Sequence, residues 1–248
     1  MYLPEVNRVF EEKQESASTN ADIKKQIYSS SESVFLCLSA KKQTSGRGRL
    51  GRSFFSPSGG LYFSVSYPLM GDEKNISCLT LLAGLAVHDA LKSLYGCDTV
   101  IKWPNDIYLN GRKLCGILCE LVSSNGKLTA VAGIGVNISL EKEDIPEELK
   151  NIMTSLSIEG FQAEKEALMK RIVENLDKYV YTEKQLYNIN TATYNKIRTL
   201  LRSFDKKVKY TLDGEVKEGF ITDITPTGAA VMTTTDNEEI IITYGEVT

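Results

Sequence analysis

The sequence predicts an α+β fold, with a mixed, largely antiparallel sheet and flanking helices followed by a small β-rich domain. Three observations carry this prediction. Asn110-Gly111 and Asn125-Gly126 join segments that read as strands, and Asn-Gly between such segments is the strongest short hairpin signal. Residues 77–95 (SCLTLLAGLAVHDALKSLY) repeat apolar groups at helical spacing through Leu82, Leu85, Ala86 and Ala90, which marks a buried central helix. From Lys206 onward, short apolar runs are punctuated by Asp213-Gly214, Pro226-Thr227-Gly228 and Asp236-Asn237, the composition of a small β-barrel.

Thr19-Asn20-Ala21-Asp22 reads as a helix start, with Thr19 as the cap, an acidic residue three positions on, and Ile23 and Ile27 one turn apart. Residues 33–39 (SVFLCLS) form a short apolar run, a buried strand. Leu61, Phe63, Val65 and Tyr67 alternate with Tyr62, Ser64 and Ser66, the period of a strand with one half-polar face. Gly96 is placed to cap the central helix. Strands are then expected at 100–109, interrupted by Trp103-Pro104, at 113–122 and at 127–138. From 146 to about 194 the spacing becomes helical, with Leu168, Ile172, Leu176 and Tyr179 on one face. The expected domains are 1–203 and 204–248.

The chain has 248 residues, 42% apolar and 25% charged, as in ordinary globular proteins. A net charge of -3 argues against DNA as a partner, since nucleic-acid-binding domains are normally basic. No uninterrupted apolar run approaches the ~18 residues of a membrane span, and the first residues lack the basic-then-apolar order of a signal peptide. Five cysteines, mostly within apolar segments, suit free thiols in a reducing, cytoplasmic compartment.

Residues 45–57 (SGRGRLGRSFFSP) contain the G-x-G-x-x-G of dinucleotide sites, which requires a helix to start within the glycines. Pro57, Gly59 and Gly60 stand where that helix would propagate. What is left is a loop carrying Arg47, Arg49 and Arg52, suited to phosphate or carboxylate, or else a solvated hairpin. Lys102-Trp103-Pro104-Asn105-Asp106 sets a cation, an amide, a carboxylate and the only tryptophan at a proline-broken strand, or forms a turn in which Asp106 bonds its own backbone. Arg112-Lys113-Leu114-Cys115-Gly116 brings cations to a strand start. Gly133-Ile134-Gly135-Val136-Asn137 puts two glycines into an apolar strand, a weakness unless something must approach its backbone closely. His88, the only histidine, reads as a packed helix residue.

Together with Ser18-Thr19-Asn20 and Gln43, these stretches in this order resemble the biotin-protein ligases over the first 200 or so residues. The resemblance implies a class II aminoacyl-tRNA synthetase-like catalytic domain and an SH3-like C-terminal domain. It also implies an ATP-dependent, AMP-forming reaction in which biotin and MgATP give biotinyl-5'-AMP and pyrophosphate. Biotin then passes to one lysine of a biotin carboxyl carrier protein or domain.

Ser18, Thr19, Asn20 and Gln43 match the family residues around the biotin ureido ring. Arg47, Gly48 and Arg49 match the loop over the adenylate, and Lys113 matches the lysine that reaches the biotin carboxylate and the attacked phosphate, so Lys113, Arg47 and Arg49 are the implied catalytic residues. The nucleotide side is implied to comprise Arg47, Arg49, Arg52, Phe54 with Phe55 as its neighbour, Lys102, Asn105 and Asn137, with Asp106 as an Mg²⁺ ligand.

Some members carry a DNA-binding helix-turn-helix before the Ser-Thr-Asn motif. Here 17 residues precede Ser18, so a monofunctional enzyme, monomer or homodimer, is expected. The alternatives are a lipoate or octanoate ligase or transferase, which shares fold and carrier-lysine chemistry, and a non-catalytic nucleotide-binding regulator.

Overall fold

The computed structural model describes residues 8–30, 35–69, 76–182, 188–201, 207–212 and 215–243. Its main sheet has seven strands: β1 (Val9–Lys13), β2 (Leu36–Ala40), β3 (Gly60–Pro68), β4 (Val100–Lys102), β5 (Asp106–Leu109), β6 (Arg112–Ser124) and β7 (Lys127–Asn137). They lie in the order β1-β2-β3-β7-β6-β5-β4, and only β1 with β2 is parallel. The sheet is therefore mixed and largely antiparallel, as the sequence predicts. Both Asn-Gly pairs take positive φ (Asn110 47°, Gly111 86°; Asn125 51°, Gly126 72°), which matches the right-handed twist of the strands they join.

Strand alternation sends side chains to two different layers. Leu61, Phe63, Val65 and Tyr67 of β3 face the main core with α2 (Ser77–Tyr95) and α3 (Lys165–Thr182). On the opposite face, α1 (Thr19–Ser29) inserts Ile23 against Leu36, Leu38, Val122 and Val131. Helix α2 has the length and apolar content of a membrane span, yet it is buried over most of its length between the sheet and α3 and turns Asp89 and Lys92 to polar partners. It ends at Gly96, whose φ of 67° supplies the left-handed cap and whose N–H donates to Lys92 O at 3.0 Å. His88 is buried in α2 with Nδ1 2.9 Å from Thr99 Oγ1, and burial lowers its pKa below the usual value.

Several expectations change. Thr19 is the first helical residue rather than the cap; Ser18, at φ -163°, precedes the helix. The side chains that read as a capping box have other work: the Thr19 hydroxyl lies 3.2 Å from Gln43 Oε1, and Asp22 accepts from Ser16 Oγ (2.7 Å) and Lys13 Nζ (2.9 Å). The alternate residues of β3, Tyr62, Ser64 and Ser66, are not half-solvated but fully buried. Residues 146–164 hold one 3-10 turn (Glu147–Leu149) among turns, and the helical pattern resolves into α3 and α4 (Thr191–Leu200). Glu159 fixes these turns by accepting from Thr154 Oγ1, Asn110 Nδ2 and Arg112 Nη2 at 2.5, 2.6 and 2.8 Å.

The last strands, β8 (Lys207–Leu212), β9 (Glu215–Ile224), β10 (Ala230–Thr234) and β11 (Glu239–Ile242), form an antiparallel meander. Each pairs only with its neighbours in sequence, so among the described residues the sheet is open rather than closed into the expected barrel. It docks through the 226–228 turn, where Gly228 O accepts from Trp103 Nε1 (3.1 Å) and Pro226 O from the Ile189 N–H (2.7 Å), through Asp223 of β9, which accepts from Tyr194 Oη (2.5 Å), and through Ile221, Ile224, Ala230 and Met232, which join the main core. Residues 33 and 34 of the expected first strand, the Asp213-Gly214 turn and the 203/204 boundary lie outside the described residues.

Candidate active site

A cleft opens on the α1 face of the sheet, where the helix begins and leaves the ends of β6 and β7 uncovered. Gly116, Gly133 and Gly135 line it, and Gly116 and Gly135 are cross-strand partners. Side chains come down onto these backbones. A Cβ on Gly133 would collide with the Asn20 carboxamide, and one on Gly135 or Gly116 would stand 2.5 or 2.7 Å from the Phe54 ring. The glycines that weaken an isolated strand are required here by close approach.

At one end of the cleft, Ser18, Thr19, Asn20 and Gln43 come together as the sequence implies. Asn20 Nδ2 donates to Leu118 O (3.1 Å) and to Glu120 Oε2 (2.8 Å), while its Oδ1 accepts from Ser64 Oγ (2.6 Å). Gln43 Oε1 accepts from the Thr19 N–H (2.9 Å), and Gln43 Nε2 donates to Ser56 Oγ (3.0 Å). The Thr19 hydroxyl lies between Gln43 and Ser64 Oγ, 2.7 Å from the latter. Both amide orientations are thereby fixed by their protein partners. Ser64, missed by sequence reasoning, is the buried hub of this network; as a polar alternate in a strand it carried only the signal of a solvent face.

At the other end, Lys113 owes its position to an irregularity. Gly116 faces the cleft, and in a regular strand a residue three positions away would face the opposite layer. The β5–β6 register shifts between Ile107 and Tyr108, so that Ile107 pairs with Cys115 but Tyr108 with Lys113. This bulge brings Lys113 onto the cleft face, where its Nζ lies 2.7 Å from Asp106 Oδ1 and 5.7 Å from the Phe54 ring centroid. Its backbone is clamped as well: Lys113 N–H donates to Ile152 O (2.8 Å), and Thr154 N–H to Lys113 O (2.9 Å). Lys102 is the cross-strand partner of Asp106 and also lines the cleft, with its Nζ 5.7 Å from the Tyr108 ring centroid. Asn105 docks the Trp103-Pro104 break to β6 by donating from Nδ2 to Ile117 O (2.9 Å).

The glycine-arginine segment forms a wall of the cleft containing Arg47, Gly48, Arg49 and Arg52. Its own backbone closes it, with Phe54 N–H donating to Gly46 O (2.9 Å) and Gly48 N–H to Arg52 O (2.7 Å). Leu50 at its tip takes φ 55°, strained for a side-chain-bearing residue by about 1–2 kcal/mol, and is 71% exposed. Of the two phenylalanines only Phe54 lines the cleft; Phe55 packs in a satellite cluster around Leu140, Ile145 and Met153.

Asn137 is the implied site residue that the structure places elsewhere. It is buried and does not line the cleft, and its Nδ2 donates to Thr154 O (2.9 Å), so it supports the segment that clamps Lys113.

A sequence model of the biotin/lipoate A/B protein ligase family matches residues 12–137. The chain is 36% identical over 172 residues to the bifunctional ligase/repressor BirA of Bacillus spizizenii, covering 66% of this chain but only 50% of that protein, so it spans about half the length of that relative. It is 30% identical over 206 residues to the biotin--[acetyl-CoA-carboxylase] ligase of Mycobacterium tuberculosis, covering 81% of this chain and 73% of that one. Among solved structures, the biotin protein ligase from Aquifex aeolicus in complex with biotin and ATP superposes with a TM-score of 0.75 at 32% identity, over 98% of this chain and 97% of that one. With this sheet, this cleft and these relatives, the chain belongs to the biotin/lipoate A/B protein ligase family and, within it, to the biotin-protein ligases.

Proposed function

We propose that the chain activates biotin with ATP to biotinyl-5'-AMP and transfers it to a lysine of a biotin carboxyl carrier domain. The observation that carries this reading is the hydrogen-bonding sense of two amides. Asn20 has both N–H groups engaged by the protein and can offer a ligand only its Oδ1; Gln43 has its Oε1 engaged and can offer the second N–H of Nε2. One acceptor and one donor side by side suit a cyclic urea, which has N–H donors and a carbonyl acceptor. They would leave unpaired polar groups against the dithiolane of lipoate, which has neither, and this argues against the lipoate alternative.

In the first step the biotin carboxylate attacks the α-phosphorus of ATP, a P–O bond forms, and pyrophosphate leaves with the electrons of the broken bond. Two anions must meet, so fixed cations are needed where charge develops. We assign Lys113 to the carboxylate and α-phosphate, with Asp106 holding its ammonium in place, and Lys102 and Arg52 to the phosphates. Arg47 and Arg49 close over the adenylate and exclude water, and Phe54 forms the wall against which adenine stacks. In the second step the acceptor amine attacks the acyl carbon, AMP leaves and the amine loses a proton.

The residues do not fit a protein-held Mg²⁺. Asp106 is a single carboxylate already paired with Lys113, and no cluster of three candidate ligands occurs among the described residues. Magnesium enters this proposal only as the counterion of ATP. The division at 203/204, the SH3-like character of the C-terminal part and a cytoplasmic location belong to the same proposal; the buried free thiols Cys37, Cys78, Cys97 and Cys115 agree with a reducing compartment.

The test is to incubate the protein with MgATP, a carrier domain and biotin, lipoate or both, and to weigh the acceptor. Addition of one biotin to one lysine is expected; addition of lipoate instead, or no biotin-dependent pyrophosphate exchange, would overturn the proposal. Lys113→Ala is expected to slow that exchange roughly 10²–10³-fold, the scale for losing one group that stabilises developing charge.

A further inference from the structure

Glu120 lies beyond the residues placed in the cleft, on β6 two positions from Leu118, yet it reaches the recognition end. Its Oε2 accepts from Asn20 Nδ2 at 2.8 Å, and its Oε1 accepts from Lys24 Nζ at 2.7 Å, so one carboxylate bridges the first and second turns of α1. An asparagine amide can turn over, exchanging its oxygen for its nitrogen with little change of shape. At Asn20 the reversed orientation would set an oxygen against the Glu120 carboxylate and against Leu118 O, and an NH₂ where Oδ1 now stands. Ser64 would not choose between the two, because a hydroxyl can donate or accept, and Leu118 O, which does choose, is a neutral acceptor at the longer distance of 3.1 Å. An ionised carboxylate can only accept, and it is the strongest fixed acceptor in contact with this amide.

We infer that Glu120, pinned by Lys24, is a specificity-determining positioning residue: it locks Asn20 with Oδ1 toward the cleft, so that the site takes ligands presenting a urea-type N–H. This rests on the biotin reading above. Glu120 acts through Asn20 and does not touch the reacting atoms, so removing it weakens ligand recognition without slowing the chemistry of bound substrate.

The test is calorimetric titration of the full chain with biotin and, separately, with ATP, for wild type, Glu120→Leu, Asn20→Ala and the double variant, with thermal midpoints taken on the same samples. Glu120→Leu is expected to weaken biotin binding roughly tenfold, the weight of one hydrogen bond to a charged group, and to leave ATP binding and the turnover number at saturating biotin unchanged. In the Asn20→Ala background the same change is expected to do nothing further. Glu120→Gln, which keeps the shape and therefore the fold, should weaken biotin several-fold because its amide tolerates either Asn20 orientation and leaves only the neutral Leu118 O to choose between them. Unchanged biotin affinity in Glu120→Leu and Glu120→Gln, or an undiminished loss without the Asn20 amide, would overturn the role of Glu120. Failure of the wild type to bind biotin would instead overturn the reading on which it rests.

Discussion

At the Asn20 end of the cleft, side chains from α1, β3 and β6 hold one another through bonds between distant parts of the chain, and the central groups are buried: Asn20 is 4% exposed and Ser64 0%. The Arg47–Arg52 wall is built the other way. Its described backbone bonds run within the segment itself, and its tip stands exposed with a strained Leu50. The contrast teaches which part of the site is tied to the rest of the fold and which is tied mainly to itself. A network fixed by its own bonds discriminates because the wrong ligand leaves its remaining acceptor and donor unpaired. A segment that satisfies its own backbone can move as a unit without leaving orphaned polar groups behind.

The change that should break this contrast most severely is Gly133→Ala. Its Cβ meets the Asn20 amide, which is held by its own bonds, so biotin binding is expected to fall by roughly 5- to 150-fold, from an overpacking penalty of about 1–3 kcal/mol. Titration with biotin and with ATP checks it, and equal loss for both ligands would mean that the recognition end is not rigid in the sense argued. Arg49→Gly should have a smaller effect of a different kind: adenylate retention falls, by roughly tenfold if one charge-assisted contact is lost, and activated biotin reaches bystander amines. Labelling restricted to the natural acceptor, with unchanged release, would remove the loop from that role.

The smallest effect is expected at Asp22, whose bonds tie the start of α1 to the approaching chain. Burial would raise its pKa, but Ser16 and Lys13 outweigh this and hold it below the usual carboxylate value. A carboxylate lowered in the folded state adds stability above its unfolded pKa and loses it as pH falls through the folded one. Asp22→Asn should therefore cost less than about 1 kcal/mol near neutral pH, the range for a solvent-screened pair, and reduce the stability lost on acidification below about pH 4. Circular-dichroism melts at pH 7 and 3 would show it, and an unaltered acid slope would count against the anchor.

The features legible in the sequence were those whose causes are local. Asn110-Gly111 and Asn125-Gly126 specify hairpins through their own φ angles, and α2 announces itself by spacing and ends at the predicted glycine. What was hidden depends on distant partners. β1 (VFEEK) lacks strand alternation and is a strand because it pairs in parallel with β2, with four of its five residues exposed. Ser64 read as part of a half-polar face because its partner Asn20 lies 44 residues away along the chain, and Glu120, 100 residues from the same partner, carried no local signal. Lys113 was legible as a cation at a strand start, but the bulge that aims it belongs to the pairing of two strands. Asn137 shared a motif with Gly133 and Gly135 yet donates to Thr154 O, a partner 17 residues further along the chain that no local pattern signals.

The hydrogen bond from Trp103 to Gly228 has an optical consequence. The chain has a single tryptophan, and it lines the cleft beside Lys102 while its indole N–H is held by the C-terminal sheet. Its emission is therefore an intrinsic fluorescent reporter without background from any second indole. Nucleotide arriving on one side and displacement of the C-terminal sheet on the other both change the surroundings of the same ring, and quenching by an added solute distinguishes a ring that has become covered from one that has been uncovered.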